Sequence, residues 1–432
     1  MGLTLPAAAW RTRPGLDELV AALNADTEAP RFVGGAVRDT LLGIDVADID
    51  LATPLPPADV VKRLEAASIR AVPTGIAHGT VTAVSRGTVV EVTTLRRDVE
   101  TDGRHAVVAY TDDWRADASR RDFTINALYA EADSGRVHDW FGGADDLAAR
   151  RVRFIGDPLR RIAEDHLRIL RFFRFHARFG EAIDADGLSA CTARANDLMA
   201  LSRERIAAEL LKLLVAPGAV NVLRLMVDHH ILRPVLPEIE AGGVERLAEL
   251  VRREAEPEPD PVFGPAMSRL TPWSDHRDGG IPADPIRRLA ALLPRDPAVA
   301  ETVANRLKLS KAQRVRLVAA ATDRTGSVWE DVYRAGNEAA LDRALLTFPP
   351  YAAHGAAWQA ILFPIPRLPI TGGALVARGL TAGPAVAAAL KAVENQWIAE
   401  GFPAQPRVDA IADAVVAGAI DAQAADASSG RA

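Results

Sequence analysis

Cysteine is almost absent from this 432-residue chain: Cys191 is the only one. A disulfide framework and a cysteine-based zinc site are therefore excluded, and a reducing compartment, most simply the cytoplasm, is expected. Aromatic residues make up only 5%, and no charge dominates, since 51 Lys and Arg stand against 57 Asp and Glu for a net charge of −6. A nucleic-acid surface, if the chain has one, must be local rather than global. Long apolar runs are also missing. The longest uncharged stretch, between Arg343 and Arg367, is broken by Pro349, Pro350, Pro364 and Pro366, so no membrane-spanning helix is expected. The N-terminal MGLTLPAAAW lacks a charged start and a long apolar core, which argues against a secretory signal.

What is present is ordinary globular composition, 49% hydrophobic and 25% charged, at a length that predicts several structural units. Between about residues 30 and 155, the segments RFVGGAV, DIDLAT, GTVTAV, TVVEVTTL and RVHDW are rich in β-branched residues and bounded by Gly or Asp. Beyond Asp157 and Pro158 strand signals fade and Ala, Leu, Arg and Glu recur at helical spacing. The expected fold is α+β, an N-terminal head (1–155) followed by an all-α remainder. That remainder divides into a helical neck and start of the body (156–252), a Pro-rich linker or irregular segment (253–286) and a helical body and tail (287–432). The last residues, DAQAADASSGRA, have little to bury and read as a frayed tail.

Four constellations carry chemistry. In Val33-Gly34-Gly35-Ala36-Val37-Arg38-Asp39 an apolar strand runs through two glycines into a helix expected from Val37 to Leu42. Such a turn lets backbone N–H groups approach a phosphate, and Arg38 can hold an oxyanion, although two glycines alone specify no more than a turn. Ten residues beyond Arg38, Asp48 and Asp50 flank Ile49, so strand alternation projects both carboxylates to one side. Their repulsion is relieved by a divalent cation such as Mg2+, or simply by solvent at a strand end. Glu91, in the β-branched run Val89–Thr94, would complete a three-carboxylate cage for two-metal nucleotidyl transfer if its strand lies beside theirs.

Arg120-Arg121-Asp122-Phe123-Thr124-Ile125-Asn126 offers Arg121 to a phosphate, with Asp122 and Asn126 suited to bracing turns. Finally, residues 150–178 hold nine arginines, among them Arg168, Arg171 and Arg174, which follow Asp165 at three-residue spacing. This is either a phosphate-binding surface or a solvated helix face, and Arg and Asp are also able to read the Watson–Crick edge of a base.

The ordered set GGAVRD, DID, EVTTLR, RRDFTINAL, DWFGG and EDHLRILRFFRF resembles the bacterial-type (class II) tRNA nucleotidyltransferase and poly(A) polymerase family of the polymerase-β superfamily. The resemblance covers residues 31–178 and implies a polymerase-β-like head with a mixed sheet, then a helical neck, body and tail that hold the tRNA acceptor arm. It implies that Gly35, Arg38 and Arg121 contact the incoming nucleotide and that Asp48 and Asp50 bind Mg2+. Glu91 is a looser third carboxylate. Asp165 and Arg168 would pair with the base of CTP or ATP in place of a template, followed by Arg171 and Arg174. Residues 98–118 correspond to a mobile loop of the family, and Asp139 to Gly143 to its hinge. The implied activity is addition of CCA to tRNA 3′ ends. The rivals are poly(A) synthesis, a partial specialist adding only CC or only A, and an RNA-binding protein without catalysis. Poly(A) polymerases carry a basic Gly-Arg-Arg-Phe type of signature where this chain has Thr74 to Val81. No obligatory protein partner is evident.

Overall fold

The computed structural model describes residues 3–24, 29–76, 79–102, 105–255, 280–323, 326–362 and 364–429. Most of the expected Pro-rich segment, 256–279, lies outside the described residues, as do Ala77 and His78 of the stretch that stands in place of the poly(A) signature. Two compact units form, one of residues 1–244 with 306–309, the other of 245–305 with 310–432.

The first unit begins with a seven-stranded mixed sheet. Its strands are β1 (Arg31–Val33), β2 (Ile49–Thr53), β3 (Arg70–Gly75), β4 (Thr80–Ser85), β5 (Thr88–Thr94), β8 (Tyr129–Glu131) and β9 (Val137–His138), in the order β3-β4-β5-β2-β1-β8-β9. The five segments singled out by β-branched content all supply strands. β2 and β5 run parallel, and the connection between them carries helix α3 (Pro57–Ala66), as a parallel pair requires. The other neighbours are antiparallel. β4 turns into β5 through Arg86 (φ 46°) and Gly87 (φ 87°), and a two-residue hairpin with both central φ positive matches the twist of the strands. Helix α1 (Leu16–Asn24) and α3 pack together on the β4 side. Alternation does the sorting: in β5, Val90 and Val92 are fully buried while Val89 and Glu91 face outward.

The stretch matched to a mobile loop contains two paired strands and a helix. β6 (Arg96–Asp102) and β7 (His105–Tyr110) pair as a separate antiparallel hairpin, followed by helix α4 (Trp114–Ser119), whose N-cap Asp113 accepts from the amides of Arg115 and Ala116. The hinge segment is held by Asp139, whose carboxylate accepts from the amides of Phe141, Gly143 and Ala144 at the start of α5 (Gly143–Ala148).

After β9 the described chain contains no further strand. Helix α6 (Pro158–Glu164) is capped by Asp157, and α7 (Arg168–Phe179) turns one face of Ile169, Leu170, Phe172, Phe173 and Phe175 inward. Phe172 and Phe175 meet Phe123, and Phe154 stacks on Phe172, so the aromatic core ties the segment 122–126 to α7. Helices α8 (Ala185–Ala193), α9 (Arg203–Leu214) and α10 (Ala219–Asp228) complete this part, α9 and α10 packing on α7. His229 and His230 form the turn that ends α10.

Among its described residues the second unit has helices as its regular elements and no strand, from Glu245 within the helix Ala241–Ala255 to the helix Gln405–Ser429. The C-terminal segment expected to fray is instead the continuation of that helix through Ser429. Its alanine content explains the difference, because alanine needs no burial to favour helix. Among the described residues no helix is long and apolar enough to cross a membrane.

Candidate active site

The parallel pairing of β2 and β5 sets Asp50 directly opposite Glu91, while Asp48 lies just before the first residue of β2. Asp48 and Glu91 are exposed and Asp50 is half-buried. The sheet thus supplies the alignment that the sequence left open for Glu91. Electrostatics registers the grouping: the Asp50 carboxyl is pushed up to about 6, chiefly by burial, next by Glu91 and to a smaller extent by Asp48, against the relief from Arg121 and Arg38. Hard oxygen donors crowded in this way suit a divalent cation. As they stand, no three acidic, His or Cys side chains among the described residues are gathered tightly enough to hold a metal ion. Asp48 is helped into place by Arg13, which donates to the carbonyl oxygens of Val46 at 2.9 Å and Ala47 at 3.4 Å.

Beside the carboxylates the chain turns from β1 into helix α2 (Gly35–Leu41) through Gly34, whose φ of 64° favours glycine. The helix starts two residues earlier than its apolar pattern implies. Two guanidinium groups come up to this turn: a Cβ on Gly34 would lie 3.4 Å from Arg121 Nη1, and one on Gly35 would lie 3.8 Å from Arg38 Nη2. A Cβ would sit in ordinary contact with each cation, so it is the positive φ of Gly34 that calls for glycine at this turn.

Each arginine is fixed from behind. Arg38 donates to Asp39 at 2.7 Å and to Asn126 Oδ1 at 2.6 Å, and lies over the Phe179 ring at 4.6 Å. Asn126 in turn donates to Asp122, which also accepts from Arg171 Nε at 2.7 Å and from the amide of Phe123. Burial alone would raise the Asp122 carboxyl, but Arg171 and these hydrogen bonds hold it below the usual range. Asp122 and Asn126 are therefore braces, as their residue types imply. Arg121 donates to Tyr129 Oη at 2.9 Å, and Tyr129 donates to Asp117 Oδ2 at 2.5 Å. Burial disfavours the Arg121 cation, yet Tyr129 and Asp117 more than offset it and raise its pKa.

Asp165 and Arg168 occupy the junction between α6 and α7. Asp165 is not on the face of α7 shared by Arg168, Arg171 and Arg174, because it ends α6 in an extended conformation (φ −151°) and α7 begins at Arg168. Its carboxylate accepts from Arg205 at 2.8 Å. Arg168 is held by Glu164 at 2.7 Å and by the carbonyl oxygens of Arg161 and Arg120. Arg171 is committed to Asp122, and Arg174 to Glu209 at 2.5 Å. Much of the arginine-rich segment is neutralised internally: Arg151 and Arg153 pair with Asp146, Arg161 with Glu164, and Arg178 with Asp39. Reasoning along the chain missed Arg13, Asp117, Tyr129, Arg205 and Glu209. Their partners lie up to 40 residues away, as for Arg205 and Asp165, so no local motif announces them.

Comparison with known proteins agrees with this geometry. A family model described as the Poly A polymerase head domain matches residues 30–153, and one described as the probable RNA and SrmB-binding site of polymerase A matches 182–242. The human protein named CCA tRNA nucleotidyltransferase 1, mitochondrial, is 42% identical over 218 residues, 50% of each chain. The match thus spans about half the length of that relative. The CCA-adding enzyme of Limosilactobacillus fermentum is 33% identical over 412 residues, covering 91% of this chain and 94% of its own. The solved structure of Bacillus stearothermophilus CCA-adding enzyme in complex with CTP superposes with a TM-score of 0.67 at 27% identity, over 93% of this chain and 91% of that one.

Proposed function

The chain belongs to the CCA-adding enzyme family, and from that premise we propose that it adds or repairs the 3′-terminal CCA of tRNA, using CTP and ATP and releasing pyrophosphate. The observation that carries the reading is the pairing of Asp50 with Glu91 across parallel strands, next to a glycine turn approached by Arg38 and Arg121. In this reading Asp48 and Asp50, with Glu91 beside them, hold the divalent cations, Mg2+ being the hard ion that suits three carboxylates. When bound, such ions neutralise charge on the phosphate undergoing in-line displacement and lower the barrier to ionising the attacking hydroxyl.

The rest falls to the chain's own residues. Gly35 lets the backbone approach the triphosphate, and Arg38 and Arg121 offset its charge from fixed positions, so little reorganisation is needed when the pyrophosphate leaves. The tRNA 3′-hydroxyl attacks the α-phosphorus and pyrophosphate departs, with no covalent enzyme intermediate. Asp165 and Arg168 present the acceptor and donor pattern that selects a cytosine or adenine edge, each released from its present partner, Arg205 or Glu164, or sharing it. Arg171 and Arg174 stiffen the reading helix from behind. The cytoplasm is the compartment that the single, buried cysteine favours.

The test is incubation with Mg2+ and a tRNA transcript lacking CCA, supplying CTP alone, ATP alone or both. The expected products are two cytidines with CTP alone and a complete CCA with both. Long adenosine tracts would select poly(A) synthesis. Tight tRNA binding with no incorporation would leave an RNA-binding protein.

A further inference from the structure

Outside the nucleotide site, a second cationic recess lies between α7, α9 and the turn that leads to α10. Arg174 and Arg178 stand one turn apart on α7, Lys212 projects from α9, and Val215, Ala216 and Pro217 wall a cavity of about 290 Å³ beside them. The wall is fixed. Gly218 donates its amide to Ala177 O at 2.8 Å, and a Cβ on Gly218 would lie 2.8 Å from that oxygen, so only glycine lets the turn close on α7.

Charge around this recess does not balance. Glu209 serves Arg174 at 2.5 Å and lies 3.7 Å from Arg171, which also takes Asp122. Asp39 serves Arg38 at 2.7 Å and Arg178 at 3.2 Å. Lys212 is exposed and, among the described residues, has no carboxylate partner. Among the described residues the lining itself carries three cations, Arg174, Arg178 and Lys212, and no carboxylate. The Arg38 cation is disfavoured chiefly by burial; Asp39 works against this, and Arg178 and Arg174 add a smaller push in the same direction as burial. Val215, 39% exposed, gives the recess an apolar side on which a sugar could lie next to a phosphate.

We propose that this recess is a phosphate oxyanion site, with Lys212 and Arg178 as its contacting cations and Arg174 as the buried charge behind them. It takes a phosphodiester of bound RNA, and the same chemistry would accept the pyrophosphate product. The assignment rests on the CCA-adding reading for the source of the anion, but its test reads binding separately from incorporation.

The experiment uses Lys212→Ala, Lys212→Glu and Lys212→Arg in the full chain, with Arg178→Ala as a second route. It measures affinity for a tRNA transcript lacking CCA over a salt series, kcat at saturating tRNA, and inhibition by sodium pyrophosphate. If RNA is the ligand, Lys212→Ala weakens tRNA binding by about fivefold to tenfold and lowers the salt slope by about one, as loss of one phosphate contact requires. Lys212→Glu then weakens it further, Lys212→Arg restores it, and kcat is unchanged. If pyrophosphate is the ligand, the inhibition constant rises instead while tRNA affinity holds. A folded Lys212→Glu protein with neither quantity changed would overturn the proposal. Absence of incorporation by the wild-type chain, with tRNA binding still sensitive to Lys212, would instead count against the functional reading alone.

Discussion

Both compact units bury arginine–carboxylate networks, and the two are matched differently. In the second unit Arg288 pairs with Glu254 at 2.8 Å, Arg287 lies between Glu254 and Asp342, and Arg316 joins Asp342 at 2.6 Å and Asp284 at 3.0 Å. Asp342 is wholly buried and Arg287 2% exposed, so these charges are matched among the helices 241–255, 285–292, 311–321 and 337–347. The first unit pairs the arginines of α7 too, with Asp39, Asp122 and Glu209. At its candidate site, however, it sets Asp48, Asp50 and Glu91 on or just before β2 and β5, apart from Arg38 and Arg121 at the glycine turn. A matched network knits helices together, whereas a separated one leaves room for a cation on one side and phosphates on the other.

The sharpest way to break this comparison is to remove charge from each side. Asp48→Ala with Asp50→Ala should cut nucleotide incorporation by about a thousandfold or more, since metal-ion charge stabilisation supplies several kcal/mol. Circular dichroism and thermal unfolding should hardly change, because Asp48 is exposed and Asp50 half-buried. In the second unit the order reverses. Asp342→Ala removes the wholly buried carboxylate that Arg316 and Arg287 share, leaving Asp284 and Glu254 to them, and should cost about 3–5 kcal/mol in urea unfolding, with the choice between CTP and ATP unaltered.

Smaller substitutions sharpen the contrast. Asp165→Ala should shift kcat/KM discrimination against GTP and UTP by about 1–3 kcal/mol, roughly tenfold to a hundredfold, at little cost in stability. Tyr129→Phe removes the hydroxyl between Arg121 and Asp117. It should cost about 1–2 kcal/mol of stability and raise the KM for nucleotide more than it lowers kcat, because Arg121 loses one of its two braces but keeps Asp117 at 3.5 Å and its charge.

Local patterns carried much of this in the sequence. The β-branched run Val89 to Thr94 marks a strand by its composition, and the glycine turn and the helix after it are local events. Glu91 became a partner of Asp50 only through strand order, which depends on a crossover of some forty residues. The Arg121–Tyr129–Asp117 brace and the Asp165–Arg205 pair are tertiary, with no spacing to announce them. Residues 98–118 read as a polar loop in the sequence, yet within and beside it the backbones of Arg96–Asp102 and His105–Tyr110 pair as a hairpin, because ladder hydrogen bonds do not depend on a continuous apolar face. The arginine-rich stretch misled in the other direction. Composition shows its charge, but the carboxylates that neutralise it, Asp39, Asp122, Asp146 and Glu209, come from elsewhere in the chain.

The most direct measurement is single-turnover incorporation from each of the four nucleoside triphosphates onto transcripts ending before CCA and after CC, by the wild-type chain and by Asp165→Ala. The expected result is CTP alone on the first transcript and ATP alone on the second for the wild type, with both preferences relaxed by Asp165→Ala. Unchanged nucleotide choice in a folded, active Asp165→Ala protein would contradict base reading at the α6–α7 junction.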